Sequence, residues 1–474
     1  MVAECNERSL EFQPLPRREI AAAFDGGRIT SDAGGLLLRE VEQRTGILRQ
    51  LASCFVDYRS PVLAEHTVEE LVAQRIYALA LGYEDLNDHD ELREDVLLAA
   101  LVGKRDLTGE YRRDPQDRGK PLAGKSTLNR LELTPPDASV KSRYKKIVAD
   151  EEKIEALFVD LFLQAHSQPP ERIVLDLDAT DDPLHGKQEG RFFHGYYKEY
   201  CYLPLYIFCG EFLLCSKLRQ SNIDAAAGAT EEVARIVARI RRQWPDVAIV
   251  VRADSGFCRE ELMAWCEANG VDFLLGLARN SRLQEILSPA MEQAHQEFAA
   301  TGQPARVFSD FTYQTRDSWS RARRVVGKAE YLAKGENPRF VVTSLTAEQF
   351  ASQELYEKEY CARGEMENRI KEQQMFLFAD RTSTSKMRSN QLRLWFSSVA
   401  YALLQALRRM GLADTPLAKA QCQTIRLKLL KIGALIRVTV RRCWVAFASS
   451  YPWQDLFTQV LRNVRAYPLP GPPG

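Results

Sequence analysis

Apolar residues recur at helical spacing through the first third of the chain. In the segments 68–83 and 153–166 they repeat every three or four residues, as in a helix that buries one face. Before them, the pairs Gly26-Gly27 and Gly34-Gly35 interrupt a short extended segment. The pattern predicts a mainly helical region over residues 1–165.

After residue 166 the pattern becomes typical of alternating strands and helices. The predicted elements are strands over 171–180, 202–210 and 211–218, a helix over 225–244, a strand over 247–254, a helix over 258–269 and a strand over 271–278. The crossover between the last two strands should make them parallel. Three antiparallel strands followed by two helix-strand units is the order of the ribonuclease H-like fold.

Strand-like runs separated by polar turns return between residues 283 and 349, and a long helix is predicted over about 354–378. We interpret the runs as a β-rich insertion. The predicted regions are a mainly helical N-terminal region (1–165), to which the resemblance described below assigns a DNA-binding role, the first part of a ribonuclease H-like core (166–282), the insertion (283–349), the last part of the core (350–410) and a basic, helical C-terminal region (411–474). The predicted fold class is therefore α/β.

Composition adds a size and a charge distribution to this picture. The chain has 474 residues, of which 45% are hydrophobic, enough for several packed domains. Its 64 basic residues balance its 64 acidic ones, but unevenly along the sequence. From Arg381 onward there are 15 Lys and Arg against only Asp414 and Asp455. A basic C-terminal region of this kind indicates a nucleic-acid partner.

The spacing of the cysteines and the length of the apolar runs argue against zinc-binding, membrane-spanning and secreted proteins. The 10 cysteines form no C-x-x-C pair, and the 6 histidines have no zinc-site spacing, so we expect reduced thiols and no zinc. No apolar run reaches the roughly 18 to 20 residues of a membrane span, and the N-terminus lacks the apolar stretch of a secretion signal. The expectation is a cytoplasmic protein without a membrane partner.

Three acidic residues are the candidates for chemistry: Asp178, Asp254 and Glu367. Asp254 ends the apolar run of the segment VRADSGF, 251–257, and is followed by a turn-forming Ser-Gly pair. Two Mg²⁺ ions about 3.5 to 4 Å apart, held by carboxylate oxygens, can catalyse the cleavage of a phosphodiester. The three residues are far apart in the chain, so only the fold can bring them together.

Alternatives remain open for two of these residues. Asp176 and Asp178 lie two apart on a strand and point to one face, so either could be the first metal ligand. We favour Asp178 because it begins D-x-T with Thr180. Asp254 could instead be the N-cap of a helix that begins near Cys258.

The helix predicted over 354–378 carries Glu367 with a distinctive set of neighbours. At regular helical spacing, Tyr360, Arg363 and Glu367 share one face, and Lys371 follows one turn later. The alternative is a surface helix with ion pairs between side chains four residues apart.

Further residues are candidates for DNA contact. The segment after the first predicted strand mixes cations with aromatic residues, a composition suited to phosphate contact and base stacking. These candidates are Lys187, Arg191, His194, Tyr196, Tyr197 and Lys198. The alternative is a charged loop between two strands. The segment 427–447 mixes basic and apolar residues and is expected to line DNA or to pack on a partner.

These segments resemble bacterial insertion-sequence transposases of the DDE superfamily. The resemblance is closest to the branch with a tyrosine, an arginine three residues on and a glutamate four residues after that, in the group named after insertion sequence thirteen-eighty. The matching segments are FDGGRITSDAGG (24–35), LDLDATDDPLHGKQEGRFFHGYYKEY (175–200), VRADSGF (251–257) and YCARGEMENRIKE (360–372).

The resemblance implies two Mg²⁺ or Mn²⁺ ions held by Asp178, Asp254 and Glu367. It further implies that Tyr360 and Arg363 contact DNA near the cut. The branch usually has a lysine seven residues after the glutamate, where this chain has Gln374; Lys371, one turn earlier, is the candidate replacement.

The resemblance also implies the partners: double-stranded DNA with terminal inverted repeats, a target DNA and a second copy of the chain in a homodimer, at the bacterial nucleoid. Members of the branch can stack a flipped base on an aromatic side chain, for which Trp319 is a candidate and a packed core tryptophan the alternative.

The predicted function is cleavage at the ends of a mobile element and joining of the 3′ ends to a target. Two alternatives stay open: a ribonuclease H-like nuclease that does not join strands, and a domesticated, non-catalytic DNA-binding protein. The terminal repeat and the target preference are not readable from the sequence.

Overall fold

The computed structural model describes residues 9–468. They form two compact units. Residues up to 52, 57–147 and 406–467 make up the first, here called the terminal unit because it contains both ends of the described chain. Residues 53–56 and 148–405 make up the second, here called the sheet unit. The N- and C-terminal segments, which are distant in sequence, therefore belong to one unit.

The terminal unit consists of helices and short strands. Its helices are Leu36–Thr45, Ile47–Ala52, Val68–Leu81, His89–Leu92, Val96–Val102, Lys125–Glu132, Cys422–Ile425 and Gln454–Ala466. Its strands are Leu10–Leu15, Arg18–Ala22, Arg28–Thr30, Ala434–Thr439 and Arg442–Phe447. Two more strands, Phe55–Asp57 and Ile147–Ala149, lie where the chain passes from one unit to the other.

The helix Val68–Leu81 shows how local sequence fixes an element. Thr67 and Glu70 form a capping box, in which each side chain accepts a hydrogen bond from the other residue's backbone N–H. Gly82, with φ 98°, ends the helix in the left-handed conformation. The helix predicted over 68–83 is confirmed with these ends.

The basic C-terminal region differs from the prediction. The helical expectation is wrong over Ala434–Thr439 and Arg442–Phe447, which form an antiparallel hairpin, and Arg28–Thr30 pairs with its first strand. Alternating β-branched residues around Val438 favour a strand over a helix. The same region shows why Gly34 is a glycine: a Cβ there would lie 1.8 Å from the Leu429 carbonyl oxygen.

One large sheet with helices forms the sheet unit. In chain order the labelled elements are α1 Glu151–Gln164, β1 Arg172–Ala179, β2 Leu205–Cys209, β3 Phe212–Lys217, α2 Ala229–Gln243, β4 Ala248–Ala253, α3 Glu260–Ala268, β5 Asp272–Leu277, α4 Ser281–Thr301, β6 Ala305–Tyr313, β7 Arg323–Leu332, β8 Arg339–Thr343, α5 Gly364–Leu377 and α6 Met387–Leu407. Smaller strands are Asp182–Pro183, Phe192–His194, Glu199–Tyr202 and Gly335–Glu336.

The strand order in the large sheet is β3-β2-β1-β4-β5-β8-β7-β6. β2 is antiparallel to both β1 and β3, whereas β4 is parallel to β1 and to β5. The strands predicted between residues 171 and 278 are all present, and the last two are parallel as expected. Because β1 and β4 are parallel neighbours, their carboxyl ends meet at one edge of the sheet.

The two faces of the sheet have different environments. Leu175 and Leu177 of β1, and Val251 and Ala253 of β4, belong to the larger hydrophobic core. The residues between them point to the opposite face, since successive strand residues alternate. That face has a smaller core, to which Leu355 and Tyr356 contribute. The segment before α5 is therefore packed against the face that carries the acidic residues of β1.

The predicted β-rich insertion is not a separate layer. β8 is hydrogen-bonded to β5, so β6, β7 and β8 extend the large sheet. The segment also begins with the 21-residue helix α4, which the prediction of strands missed. Leu283, Leu287 and Met291 recur every four residues along its buried face, but Pro289 within the helix weakens the helical signal in the sequence.

Candidate active site

The register of two parallel strands brings two of the predicted carboxylates side by side. Arg252 of β4 is paired with Asp176 of β1. Two residues further along each strand, on the same face, are Asp254 and Asp178. Both lie at the carboxyl ends of their strands, the edge at which ligands bind in open α/β sheets.

Asp178 interacts electrostatically with the other predicted site residues. Its pKa is raised to about 7, mainly because the carboxyl group is buried; the positive charge of Arg363 opposes the rise, and the negative charges of Asp254 and Glu367 add to it. Its Oδ1 accepts a hydrogen bond of 2.9 Å from the backbone N–H of Ala179. The structure thus brings the three carboxylates within electrostatic reach of one another, although Glu367 comes from a different part of the chain.

Asp254 has a structural role as well. Its Oδ1 accepts a hydrogen bond of 2.8 Å from Gly256 N and so caps the short 3₁₀ helix Ser255–Phe257. The cap alternative therefore applies to this turn and not to α3, whose N-cap is Arg259. The cap uses one carboxylate oxygen and fixes the direction of the other.

The helical segment that carries Glu367 is not one regular helix. A π-helical segment, Leu355–Tyr360, is followed by a 3₁₀ turn, Cys361–Arg363, and then by α5. The long helix predicted over 354–378 is therefore correct in position but wrong in regularity. Irregular turns of this kind recur at functional sites and rotate side chains away from ideal helical spacing.

Arg363 lies among the acidic groups. Its Nη2 donates a hydrogen bond of 2.9 Å to Oε1 of Glu367. Burial by itself lowers the pKa of Arg363, but the net shift is upward because Tyr360, Asp178, Glu367 and Asp254 surround it. The guanidinium partly neutralises the negative charge of the carboxylates.

Tyr360 is held beside Asp254 by a close approach to β5. A Cβ at Gly276 would lie 2.5 Å from the Tyr360 hydroxyl and 2.8 Å from Ser255 N. The absence of a side chain at this position is what admits the tyrosine. Burial raises the pKa of Tyr360, and Asp254 contributes in the same direction. Gly276 was not predicted; a glycine inside a strand pattern was its only signal.

Asp176 is committed to a structural ion pair. Arg252 donates to both of its carboxylate oxygens, at 2.6 and 2.8 Å, and both side chains are buried. Arg252 also donates to the backbone carbonyl of Glu359, whose side chain forms an ion pair with Arg172. These contacts attach the π-helical segment to β1 and β4. Arg363 lowers the pKa of both carboxylates, but among residues 9–468 only Asp176 of the two has an ion-pair partner, which leaves Asp178 as the candidate ligand on β1.

The other predicted DNA-contact residues have mixed positions. The strands Phe192–His194 and Glu199–Tyr202 form a hairpin, here called the aromatic hairpin. Tyr197 lies on this hairpin, near the site. Burial raises the pKa of Tyr197, and the negative charges of Asp181 and Asp178 raise it further. The Arg191 guanidinium stacks on Tyr200 with 3.6 Å to the ring centroid. Tyr196 is 83% exposed.

Lysine positions around the site are solvent-exposed. Lys187, Lys198 and Lys371 are all exposed. Gln374, at the position where the resembling branch has a lysine, donates a hydrogen bond of 3.1 Å to the backbone carbonyl of Asp181. This glutamine therefore holds the loop after β1 against α5.

Trp319 is a core residue. It is 7% exposed and packs edge-on against Tyr313, with ring centroids 5.8 Å apart. The guanidinium of Arg323 lies over its ring. The core alternative is confirmed, and the suggestion that Trp319 stacks on a base is wrong for this conformation.

The ligand atoms of the three carboxylates suit a hard divalent cation, but their positions in this structure do not enclose one. Carboxylate oxygens are the ligands that Mg²⁺ and Mn²⁺ prefer, and a buried carboxyl with a raised pKa gains by having a cation beside it. Among residues 9–468, no group of three or more His, Cys, Asp or Glu has the geometry to hold a metal ion. In this structure Glu367 is paired with Arg363.

A cluster of carboxylates at strand ends beside an arginine is typical of enzymes that act on phosphodiesters. Residues 12–469 match the family model described as transposase DDE domain group 1. Because the match covers nearly the whole chain, the protein belongs to this family of DDE transposases, which carry out DNA transposition and recombination. DDE transposases generally use divalent metal ions.

Two further comparisons limit what can be added. No curated protein matches the chain significantly. Across residues 9–468, no helix has both the length and the apolar character to cross a membrane.

Proposed function

We propose that the protein is a transposase that cleaves DNA at the terminal inverted repeats of its mobile element and joins the 3′ ends to target DNA. The family match supports transposase activity in general. The observation that carries the specific reaction is that Asp178 interacts electrostatically with Asp254 and Glu367, and Arg363 with all three carboxylates. These carboxylates come from three separate segments of the chain.

The proposed scaffold is a ribonuclease H-like core. The order β3-β2-β1-β4-β5, with β2 antiparallel and β1, β4 and β5 parallel, supports it. Within DDE transposases, the spacing of Tyr360, Arg363 and Glu367 supports the branch that the sequence resembles, the group named after insertion sequence thirteen-eighty.

Asp178, Asp254 and Glu367 are the proposed ligands of two Mg²⁺ or Mn²⁺ ions. When bound, such ions neutralise charge on the phosphorus oxygens and activate the attacking water or 3′ hydroxyl. Asp178 has to be ionised to act as a ligand. Because its pKa is about 7, metal binding by Asp178 should depend on pH near neutrality. Glu367 has to release Arg363, which frees the guanidinium for a DNA phosphate.

DNA contacts near the cut are proposed for residues on two elements. Tyr360 and Arg363 lie beside the carboxylates, and Lys371 lies on the same helix as Glu367. Lys187, Arg191, Tyr197 and Lys198 belong to the segment around the aromatic hairpin, with cations for phosphates and rings for bases. A homodimer that holds two element ends is also proposed, as the resemblance implies.

The carboxylate assignment is tested by Asp254→Ala and Glu367→Ala. Each should lower Mg²⁺-dependent cleavage of DNA from the ends of the element by a factor of about 10³ or more, because a lost ligand removes several kcal/mol of transition-state stabilisation. Binding to the same DNA should be retained. The measurement is strand cleavage on gels beside a mobility-shift assay.

The matched control is Glu365→Ala, which removes an exposed carboxylate two residues from Glu367 that pairs only with Arg369 among the described ion pairs. It should cleave at the wild-type rate. Full cleavage by the Asp254 or Glu367 variant would refute the site assignment.

Strand transfer separates the proposal from a nuclease of the same fold. Element ends with a 3′ hydroxyl, incubated with a target plasmid and Mg²⁺, should give joined products. Cleavage without joined products would identify a nuclease, and binding without either would identify a non-catalytic DNA-binding protein.

A further inference from the structure

A second charged surface lies in the terminal unit, on the sheet formed by Arg28–Thr30, Ala434–Thr439 and Arg442–Phe447. Here it is called the basic sheet. Arg437 is paired with Trp444 across the hairpin, and Leu435 is paired with Ile29. Residues opposite each other in a ladder point to the same face, as do residues two apart. Ile29, Leu435, Arg437, Trp444 and Arg442 therefore share one face.

That face is open to solvent, while the other packs on the unit. Trp444 is 56% exposed and Ile29 is 67% exposed. Arg437 and Arg442 are also exposed. On the opposite face Ala434 and Ile436 are buried. A sheet face with an exposed tryptophan and arginines has no role in the packing of its own unit.

The charge around this face has a single sign. Between Asp414 and Asp455 the chain contains 7 basic residues and no acidic one. Three of the seven are used inside the unit: Arg426 donates to the backbone carbonyls of Ala80 and Leu79, Lys431 pairs with Asp32, and Lys428 lies over the ring of Trp453.

The arginines of the hairpin are different. Arg437, Arg441 and Arg442 take part in none of the ion pairs found among residues 9–468. Arg441 follows Val440 in the turn of the hairpin, and Arg442 begins its second strand. Three arginines without acidic neighbours, on a strand pair narrow enough for a DNA groove, suit a polyanion.

We propose that the basic sheet binds double-stranded DNA and is the surface with which the protein holds its element ends. Arg437, Arg441 and Arg442 contact phosphates, and Trp444 and Ile29 pack against the sugar edges of the groove. This proposal rests on the transposase function but concerns a site separate from the carboxylates. A protein partner would match the apolar residues but would leave the arginine charge unbalanced.

The test is the salt dependence of DNA binding by the full-length protein. The probes are a duplex from the DNA that flanks the gene and a duplex of random sequence. In Arg437→Ala/Arg441→Ala/Arg442→Ala, affinity should fall at low salt, and the slope of log K against log salt should become shallower by about 2 to 3, at about 0.9 per lost phosphate contact. Trp444→Ala should lower affinity without changing the slope.

The matched control removes three exposed arginines of the sheet unit that belong neither to the candidate site nor to the region 1–165: Arg242, Arg316 and Arg339. Arg242→Ala/Arg316→Ala/Arg339→Ala should keep the wild-type slope. An equal change of slope in the control, or an unchanged slope in the hairpin variant, would overturn the proposal. So would a hairpin variant that keeps its DNA affinity but loses binding to vesicles of anionic phospholipid.

Two measurements keep this proposal distinct from the proposed function. Thermal unfolding should be the same for both triple variants and the wild type, because all six arginines are exposed. Strand cleavage at saturating DNA and low salt should survive in the hairpin variant, since the carboxylates are untouched. Wild-type protein that binds element ends without cleaving them would contradict the transposase assignment and leave the basic sheet standing.

Discussion

At the residue scale, two identical side chains of the site have different roles because their neighbours differ. Asp176 and Asp178 are chemically identical and two residues apart, yet one is neutralised by Arg252 and the other faces Arg363. The difference comes from the strand register, which puts an arginine opposite the first and the end of β4 opposite the second. Identical side chains acquire different functions because their neighbours differ.

Asp178 predicts a pH-dependent stability in metal-free protein. Its folded pKa of about 7 lies above the unfolded value of about 3.9. Ionisation of the buried carboxylate therefore destabilises the folded protein: this destabilisation is absent below about pH 4, grows as the pH rises to 7, and is constant above. Asp178→Asn should therefore raise the free energy of unfolding at pH 8 by the order of 2 kcal/mol after solvent screening.

Urea unfolding at pH 4 and pH 8 measures this effect, and the two proteins should be nearly equal at pH 4. Asp246→Asn, an exposed position just before β4, is the control and should change neither value. Equal stability of Asp178→Asn and wild type at pH 8 would show that the carboxyl is not desolvated.

Substitution of Gly276 should slow DNA cleavage without weakening DNA binding. In Gly276→Ala, the new methyl group would force Tyr360 and the Ser255 backbone apart, because it would lie 2.5 Å from the hydroxyl. A displacement of about 1 Å near a reacting group costs on the order of 100-fold in rate. We expect a loss of that order in cleavage, measured in single-turnover assays, with DNA binding retained.

Gly364→Ala is the matched control, because no atom lies within 4 Å of a Cβ at that position in α5. It should keep the wild-type rate. If Gly276→Ala also cleaved at the wild-type rate, the close contact with Tyr360 would have no part in catalysis.

At the element scale, the important feature is the attachment of the π-helical segment Leu355–Tyr360 to the sheet. Its apolar side, Leu355 and Tyr356, packs on the smaller core. Its backbone is held by Arg252 through the carbonyl of Glu359. Tyr360 and the 3₁₀ turn that follows then have a fixed position over the ends of β1 and β4. α5 itself is supported separately, by its buried side chains Met366, Ile370 and Leu377.

This attachment predicts a separation of stability from activity. Arg252→Ala leaves Asp176 buried without its partner and should cost about 3 to 5 kcal/mol of unfolding free energy. Asp176→Leu/Arg252→Met removes both charges while keeping most of the buried volume, and should recover most of that loss. Cleavage should stay low in both, because the Glu359 carbonyl has lost its donor in each case.

Urea unfolding and cleavage at saturating DNA give the two measurements. Lys358→Ala, which breaks an exposed pair with Glu354 on the same segment, is the control and should cost less than about 1 kcal/mol. Recovery of cleavage in the double variant would mean that Arg252 has no role in positioning the segment.

At the scale of the whole molecule, the chain distributes its chemistry over two units. The sheet unit contains the candidate carboxylates, and its sheet continues from β5 through β8 into the former insertion. The terminal unit combines the two ends of the described chain and carries the basic sheet. A net charge of zero thus conceals a local excess of positive charge on the segment that ends the chain.

Much of the sheet could be predicted because it rests on local patterns. The five strands of the large sheet between residues 171 and 278 were recognisable, since alternation and turn residues are local signals, whereas three short strands in the same range were missed: Asp182–Pro183, Phe192–His194 and Glu199–Tyr202. The helix α4 was missed because Pro289 interrupts its pattern. The hairpin Ala434–Phe447 was missed because it was included in a basic C-terminal region expected to be helical throughout, although its β-branched residues favour strands. The candidate carboxylates could be chosen in advance from residue type and motif, but not their partners.

By itself, the sequence determined the large-sheet strands between residues 171 and 278 and which residue types are present to hold a cation or a phosphate, because helical and strand periods and side-chain chemistry are properties of short segments. Only the tertiary structure decided that Asp176 pairs with Arg252 while Asp178 faces Arg363, that Gly276 admits Tyr360, and that Trp319 is buried. Those outcomes depend on register and on contacts between distant segments, which no local pattern contains.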